Sequence, residues 1–61
     1  MTAKQEAAAM VLSFLGIVGN NMKYAKECAL VAVNKIINIL NSDINPLVNY
    51  WYEVKQEIEA I

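Results

Sequence analysis

Apolar residues recur at helical spacing along most of this chain, in three stretches separated by two turn signals. The first stretch carries Ala7, Met10, Val11, Phe14, Leu15 and Val18, the i, i+3, i+4, i+7 pattern of one buried stripe. Leu12 and Ile17 fall outside the centre of that stripe. The second half of the helix is therefore apolar around most of its circumference and is expected to be buried on several sides. Thr2 and Gln5 have the spacing of a capping box, in which each side chain satisfies a backbone donor of the other, so the helix is expected over about 3–18. Gly19, Asn20 and Asn21 follow: Gly and Asn tolerate the left-handed backbone of a helix C-terminus, and Asn is a good N-cap for the next helix.

The second helix is expected over about 22–41. Its main stripe reads Ala25, Cys28, Ala29, Ala32, Ile36, Ile39 and Leu40, small at the start and large at the end, and small residues let another helix approach closely. Leu30 and Ile37 widen one flank and Val31 the other, while Lys23, Glu27, Asn34, Asn38 and Asn41 form a narrow polar face. Asn45-Pro46 is the sharpest boundary, because Asn caps a helix and Pro at its first position has the right φ and lacks only a hydrogen with no partner there. The third helix, about 46–60, carries Leu47, Trp51, Val54, Ile58 and Ile61 at alternating spacings of four and three, a seam of two heptads. Asn49, Glu53, Gln56 and Glu59 mostly face away from it. So short a seam must dock on the other helices or on a second subunit.

The expected fold is thus all-α, a three-helix chain forming one domain over residues 1–61. Composition adds self-association: 57% of the residues are apolar, against a typical 45–50%, more than three short helices hide inside a 61-residue monomer. The chain is therefore expected to complete its core by homo-oligomerisation. A net charge of −1 gives no electrostatic footprint for double-stranded nucleic acid or for an anionic membrane face. The longest nearly apolar run, Ala7 to Gly19, is 13 residues, against roughly 20 for a bilayer span. Lys4 is cancelled by Glu6, and Gly19 is followed by two asparagines, so neither a signal peptide nor a membrane span is expected.

The chemistry available is narrow. There is no histidine and a single cysteine, Cys28, which excludes imidazole or paired-thiolate metal sites, intrachain disulfides and Cys-His or Ser-His nucleophiles. Cys28 sits in a small, apolar run and reads as a buried hydrophobe, and this usage fits a reducing cytoplasm. Glu53, Glu57 and Glu59 read as the charged outer face of a terminal helix rather than as paired catalytic acids. With no phosphate-binding Gly loop, no Gly-x-Ser-x-Gly and no zinc spacing, the expectation is a protein that is not an enzyme and needs no cofactor.

Two groups of residues have a binding reading beside a bland one. Tyr50, Trp51 and Tyr52 point about 100° apart and cannot all enter one core. Trp51 lies on the seam, Tyr50 borders it and Tyr52 is turned to the polar side. Such rings pack at a subunit interface or stack on a nucleobase. Lys23 and Lys26 flank Tyr24, and Lys55 lies one turn beyond Trp51 and Tyr52. These lysines either pair in solvent with Glu27, Glu53 or Glu59, or are doubled by symmetry into a cationic, aromatic-lined pocket for a phosphate-bearing small molecule. There is no arginine, so a phosphate site would use Lys, amides and hydroxyls. The seven asparagines divide into caps (Asn20, Asn21, Asn45) and polar faces, where Asn34, Asn38 and Asn41 repeat at helical spacing.

Three blocks carry a family resemblance: Ala3-Lys4-x-x-Ala7-x-x-Met10-Val11-x-x-Phe14, Lys26-Glu27-Cys28-Ala29-Leu30-Val31-Ala32-Val33-x-Lys35-Ile36-Ile37, and Trp51-Tyr52-Glu53-Val54-Lys55-Gln56-Glu57-Ile58-Glu59. In this order they resemble short proteins of tailed phages of gut Bacteroides-type bacteria, over nearly the whole chain. Asn34 and Lys35 stand where that family usually has an Asp-Glu pair, and the first connection is very short. The resemblance implies a phage accessory protein in the cytoplasm of an infected bacterium. Proteins of that setting and size include sponges, symmetric oligomers that sequester nucleotide signals of bacterial immunity such as cyclic oligonucleotides or ADP-ribose derivatives. On that reading Lys23, Tyr24, Lys26, Tyr50, Tyr52 and Lys55 are the candidate ligand-binding residues. The alternative is a protein–protein interaction module, or inhibitor of a host protein, offering its helix seams. A third reading makes the first helix a membrane-active segment.

Overall fold

The structure is a computed structural model that describes residues 2–42 and 45–61. It consists of α1 (Ala3–Ile17), α2 (Met22–Ser42) and α3 (Val48–Ala60), with no strand among the described residues, so the chain is all-α. Each helix packs against both others in a body of 36 × 19 × 16 Å. Two side-chain bonds show that α2 and α3 run antiparallel. Lys26 near the start of α2 reaches Glu59 near the end of α3, and Asn41 near the end of α2 reaches Tyr52 near the start of α3. None of the described helices is long and apolar enough to cross a membrane.

The helix ends follow the expected side-chain chemistry. Gln5 N–H donates to Thr2 Oγ1 at 3.2 Å and Thr2 N–H donates to Gln5 Oε1 at 2.9 Å, the full capping box. Gly19 and Asn20 both have left-handed backbone, φ +68° and +64°, and Asn20 N–H closes the end of α1 onto the Leu15 carbonyl at 2.9 Å. Asn21 then caps α2, its Oδ1 accepting from Tyr24 N–H at 3.2 Å. A Cβ placed on either glycine meets nothing within 4 Å, so backbone preference alone decides a substitution. Gly19→Ala, at positive φ, is expected to destabilise by about 1 kcal/mol. Gly16→Ala, inside α1, is expected to stabilise by about 0.5–1 kcal/mol. Thermal melts should move about 4–8 °C per kcal/mol for a domain of this size, in opposite directions for the two variants.

Helix α3 begins two residues later than Pro46. Leu47, not Asn45, is the N-cap residue of α3, and no side chain caps it; Asn45 Oδ1 instead accepts from Leu47 N–H at 2.9 Å ahead of the helix, where backbone bonds join Val48 to Asn45 and Asn49 to Pro46. These i to i−3 bonds make Pro46 and Leu47 a tight turn, and regular helix starts only where Trp51 N–H reaches the Leu47 carbonyl.

The core joins Ala7 and Val11 of α1, Ala25, Ala29, Val33 and Ile37 of α2, and Val54 and Ile58 of α3. On α1 the expected stripe holds, with Met10, Phe14, Leu15 and Val18 packed beside the buried pair. Within one chain, however, Leu12 and Ile17 are 63% and 76% exposed, so the second half of α1 is not buried on several sides. On α2 the stripe is rotated from its expected azimuth. Its centre is Ala25, Ala29, Val33 and Ile37, while Cys28, Ala32, Ile36 and Leu40 are half-buried and Ile39 is exposed. The reason is that α1 and α3 press on α2 from two sides, so its buried line points between them, and fully buried Ala25 and Ala29 let both approach. On α3, Val54 and Ile58 are buried and Trp51 packs on the core, whereas the seam's ends, Leu47 and Ile61, are exposed. Asn49, Glu53, Gln56 and Glu59 face away as expected.

Candidate functional site

The rotation of α2 leaves a consequence on its α1 side. Cys28 and Ala32, next to the buried Ala25 and Ala29, are too small to fill the space between the outer edges of the two helices. An open groove of about 730 Å³ results. Phe14 and Val18 of α1 form one wall, and Tyr24 and Val31 of α2 the other, over a floor of Cys28 and Ala32. Glu27 and Lys35 complete the lining. They stand four residues to either side of Val31, on the same i, i+4 row of α2. The groove is thus an apolar trough with one acid and one base on its α2 edge. A smaller recess of about 260 Å³ lies between the start of α1 and the end of α3, bounded by Lys4, Ala8, Glu57, Ala60 and Ile61.

Of the six candidate ligand-binding residues, the groove takes Tyr24, which is 55% exposed. Lys23 is exposed beside it at the same end of α2. Lys26 is turned about 200° from Tyr24 around the helix. Its Nζ donates to the Glu59 backbone carbonyl at 2.9 Å, tying the start of α2 to the C-terminal turn of α3, where a cation is also favoured by the helix dipole. Tyr50 is half-buried, edge-on to Trp51 with ring centroids 5.5 Å apart and planes at 87°. Tyr52 is exposed, and its hydroxyl accepts from Asn41 Nδ2 at 3.3 Å. Lys55 is half-buried on α3. Tyr50 and Tyr52 therefore sit by the far end of α2, about 25 Å along that helix from Tyr24. One chain places Tyr24 alone of the six in the groove; Lys23, its exposed neighbour in sequence, points about 100° away around α2, and Lys26, Tyr50, Tyr52 and Lys55 lie elsewhere.

The residues that sequence reasoning passed over as a site are Phe14, Val18, Val31 and Lys35. Their signal was available in the Tyr24, Cys28, Val31, Lys35 row, whose spacing of four, three and four is that of a helix seam. It was hidden because Cys28 and Ala32 also fit the expected core stripe. Cys28 is only half-buried and forms part of the groove floor. Comparison of the chain with protein-family models, with curated proteins and with solved structures finds no match to any of them.

Proposed function

We propose that this chain is a non-catalytic binding protein that works as a homo-oligomer, its core completed when the α1–α2 face is covered. The observation that supports this is the groove: an open, apolar trough lined in part by the exposed Val31, with the exposed Ile17 on α1 next to its lining residue Val18. A nucleotide phosphate needs several donors converging on one place. The groove offers one lysine and, against it, one glutamate. Its chemistry suits a helix face, so association with protein is the first reading of the activity.

A second reading has one observation in its favour. Lys23 and Tyr24 are both exposed in the first turn of α2, a cation and an aromatic ring that symmetry would multiply at an interface. That pairing, with the phage resemblance of the three blocks, supports sequestration of a nucleotide-type immune signal in the cytoplasm of an infected bacterium.

Native mass spectrometry over a range of protein concentrations, before and after adding cyclic dinucleotides, cyclic trinucleotides and ADP-ribose variants, separates these readings. A defined oligomer that takes up no nucleotide is the expected result. An oligomer that gains intact ligand mass, and loses that gain in Lys23→Ala, would establish the second reading. A monomer at every concentration would overturn both.

A further inference from the structure

We infer that the occupant of the α1–α2 groove is a second copy of this chain, in a two-fold dimer whose α2 helices cross antiparallel at Val31. This rests on the homo-oligomer proposed above and names its interface.

The argument starts from charge placement. Glu27 and Lys35 are both exposed on the α2 edge of the groove and lie equally far, about 6 Å of helix rise, on either side of Val31. In a symmetric dimer the same patch meets itself. A two-fold axis parallel to α2 would set Glu27 against its own copy and Lys35 against its own copy, two like-charge contacts. An axis perpendicular to α2 at Val31 sets Glu27 opposite Lys35 of the partner subunit, and Lys35 opposite the partner's Glu27. The face is self-complementary in that one orientation, and charge arranged this way selects orientation and register.

Shape and apolar content agree. At the crossing point Val31 is 56% exposed and meets its symmetry mate, while the small Cys28 and Ala32 give the partner helix room to settle into the trough. Phe14 and Val18 wall the trough, and Ile17 extends the apolar surface beyond Phe14. Ile39, exposed four residues beyond Lys35, falls at the end of the face where the partner's Tyr24 lies, so two apolar groups without cover in one chain cover each other. A standard interface removes roughly 800 Å² from each partner, about a fifth of the 4119 Å² that this chain exposes. One of the three faces of a three-helix bundle is large enough to supply that. The product is a four-helix arrangement, two α1–α2 hairpins face to face, with α3 of each copy on the outside.

Charge reversal tests the register. Glu27→Lys and Lys35→Glu each turn two attractive contacts into two repulsive ones. In sedimentation equilibrium each single variant is expected to dimerise with a Kd raised by about tenfold. The double variant, Glu27→Lys with Lys35→Glu on one chain, is expected to return to the wild-type Kd. An equimolar mixture of the two single variants, one of them isotope-labelled, is expected to give mainly heterodimer by native mass spectrometry. Both residues are exposed, and unchanged far-ultraviolet circular dichroism confirms that each variant is folded. A wild-type dimer indifferent to the single reversals, or single reversals that the double variant fails to rescue, would overturn this interface and leave self-association standing. A wild-type chain that remains monomeric would overturn both.

Discussion

Ile58→Ala is expected to remove roughly 2–5 kcal/mol of folding stability, the range for deleting a buried aliphatic side chain and leaving part of its volume empty. Ile58 is fully buried and is among the largest of the fully buried side chains, in a core otherwise made mostly of Ala and Val. A chain of 61 residues has roughly 3–9 kcal/mol in total at 0.05–0.15 kcal/mol per residue. A single truncation at this position therefore takes from about a quarter of the stability to all of it. Urea denaturation followed by circular dichroism checks it, with Leu12→Ala as the reference, since Leu12 is 63% exposed and its truncation should stay within about 0.5 kcal/mol. The two variants must be compared at one protein concentration, because an oligomer stabilises the folded state by mass action and raises its own midpoint as the protein is concentrated. A loss under 1 kcal/mol for Ile58→Ala would mean that α3 is not docked as described.

What was legible in the sequence is what depends on neighbours within four residues. The Thr2–Gln5 box, the left-handed pair at Gly19 and Asn20, and the cap at Asn21 each depend on residues within four positions, and all of them form, whereas the cap expected at Asn45 does not, because α3 starts at Val48. The azimuth of α2 was not legible, because it depends on where α1 and α3 sit, and that is decided by side chains up to 33 positions away, as in the bond from Lys26 to Glu59. Val33 and Ile37 became core, and Ile39 did not, for that reason. Periodicity also does not say who covers a stripe. Tyr24, Cys28, Val31 and Lys35 have the spacing of a buried seam, and within one chain that seam is an open groove. The candidate ligand residues share a chemistry, yet helical geometry already separates them: two positions along a helix is a turn of about 200°, so Tyr24 and Lys26 cannot share one surface of a single chain.

Val31→Glu is expected to weaken the proposed self-association strongly, while leaving the helical fold of the monomer intact. Val31 is more than half exposed in one chain, so a glutamate there remains solvated and costs the monomer little. In the proposed dimer the same substitution places two carboxylates against each other at the α2 crossing and draws both partly out of water, and Lys35, one turn away on each helix, offsets only part of that repulsion. Placing two like charges together at the centre of that contact costs roughly 3 kcal/mol, about a hundredfold in Kd. The specific comparison is Leu12→Glu. Leu12 is slightly more exposed than Val31 and equally apolar in character, but it lies about 160° around α1 from Phe14, away from the groove. Sedimentation equilibrium should therefore find Leu12→Glu as dimeric as the wild type. If both glutamates dissociated the oligomer to the same degree, association would be a general property of the chain's exposed apolar surface and not of the α1–α2 face. If neither did, the contact between copies would lie on a helix face away from both positions, with α3 and its exposed Leu47 and Tyr52 the next surface to substitute.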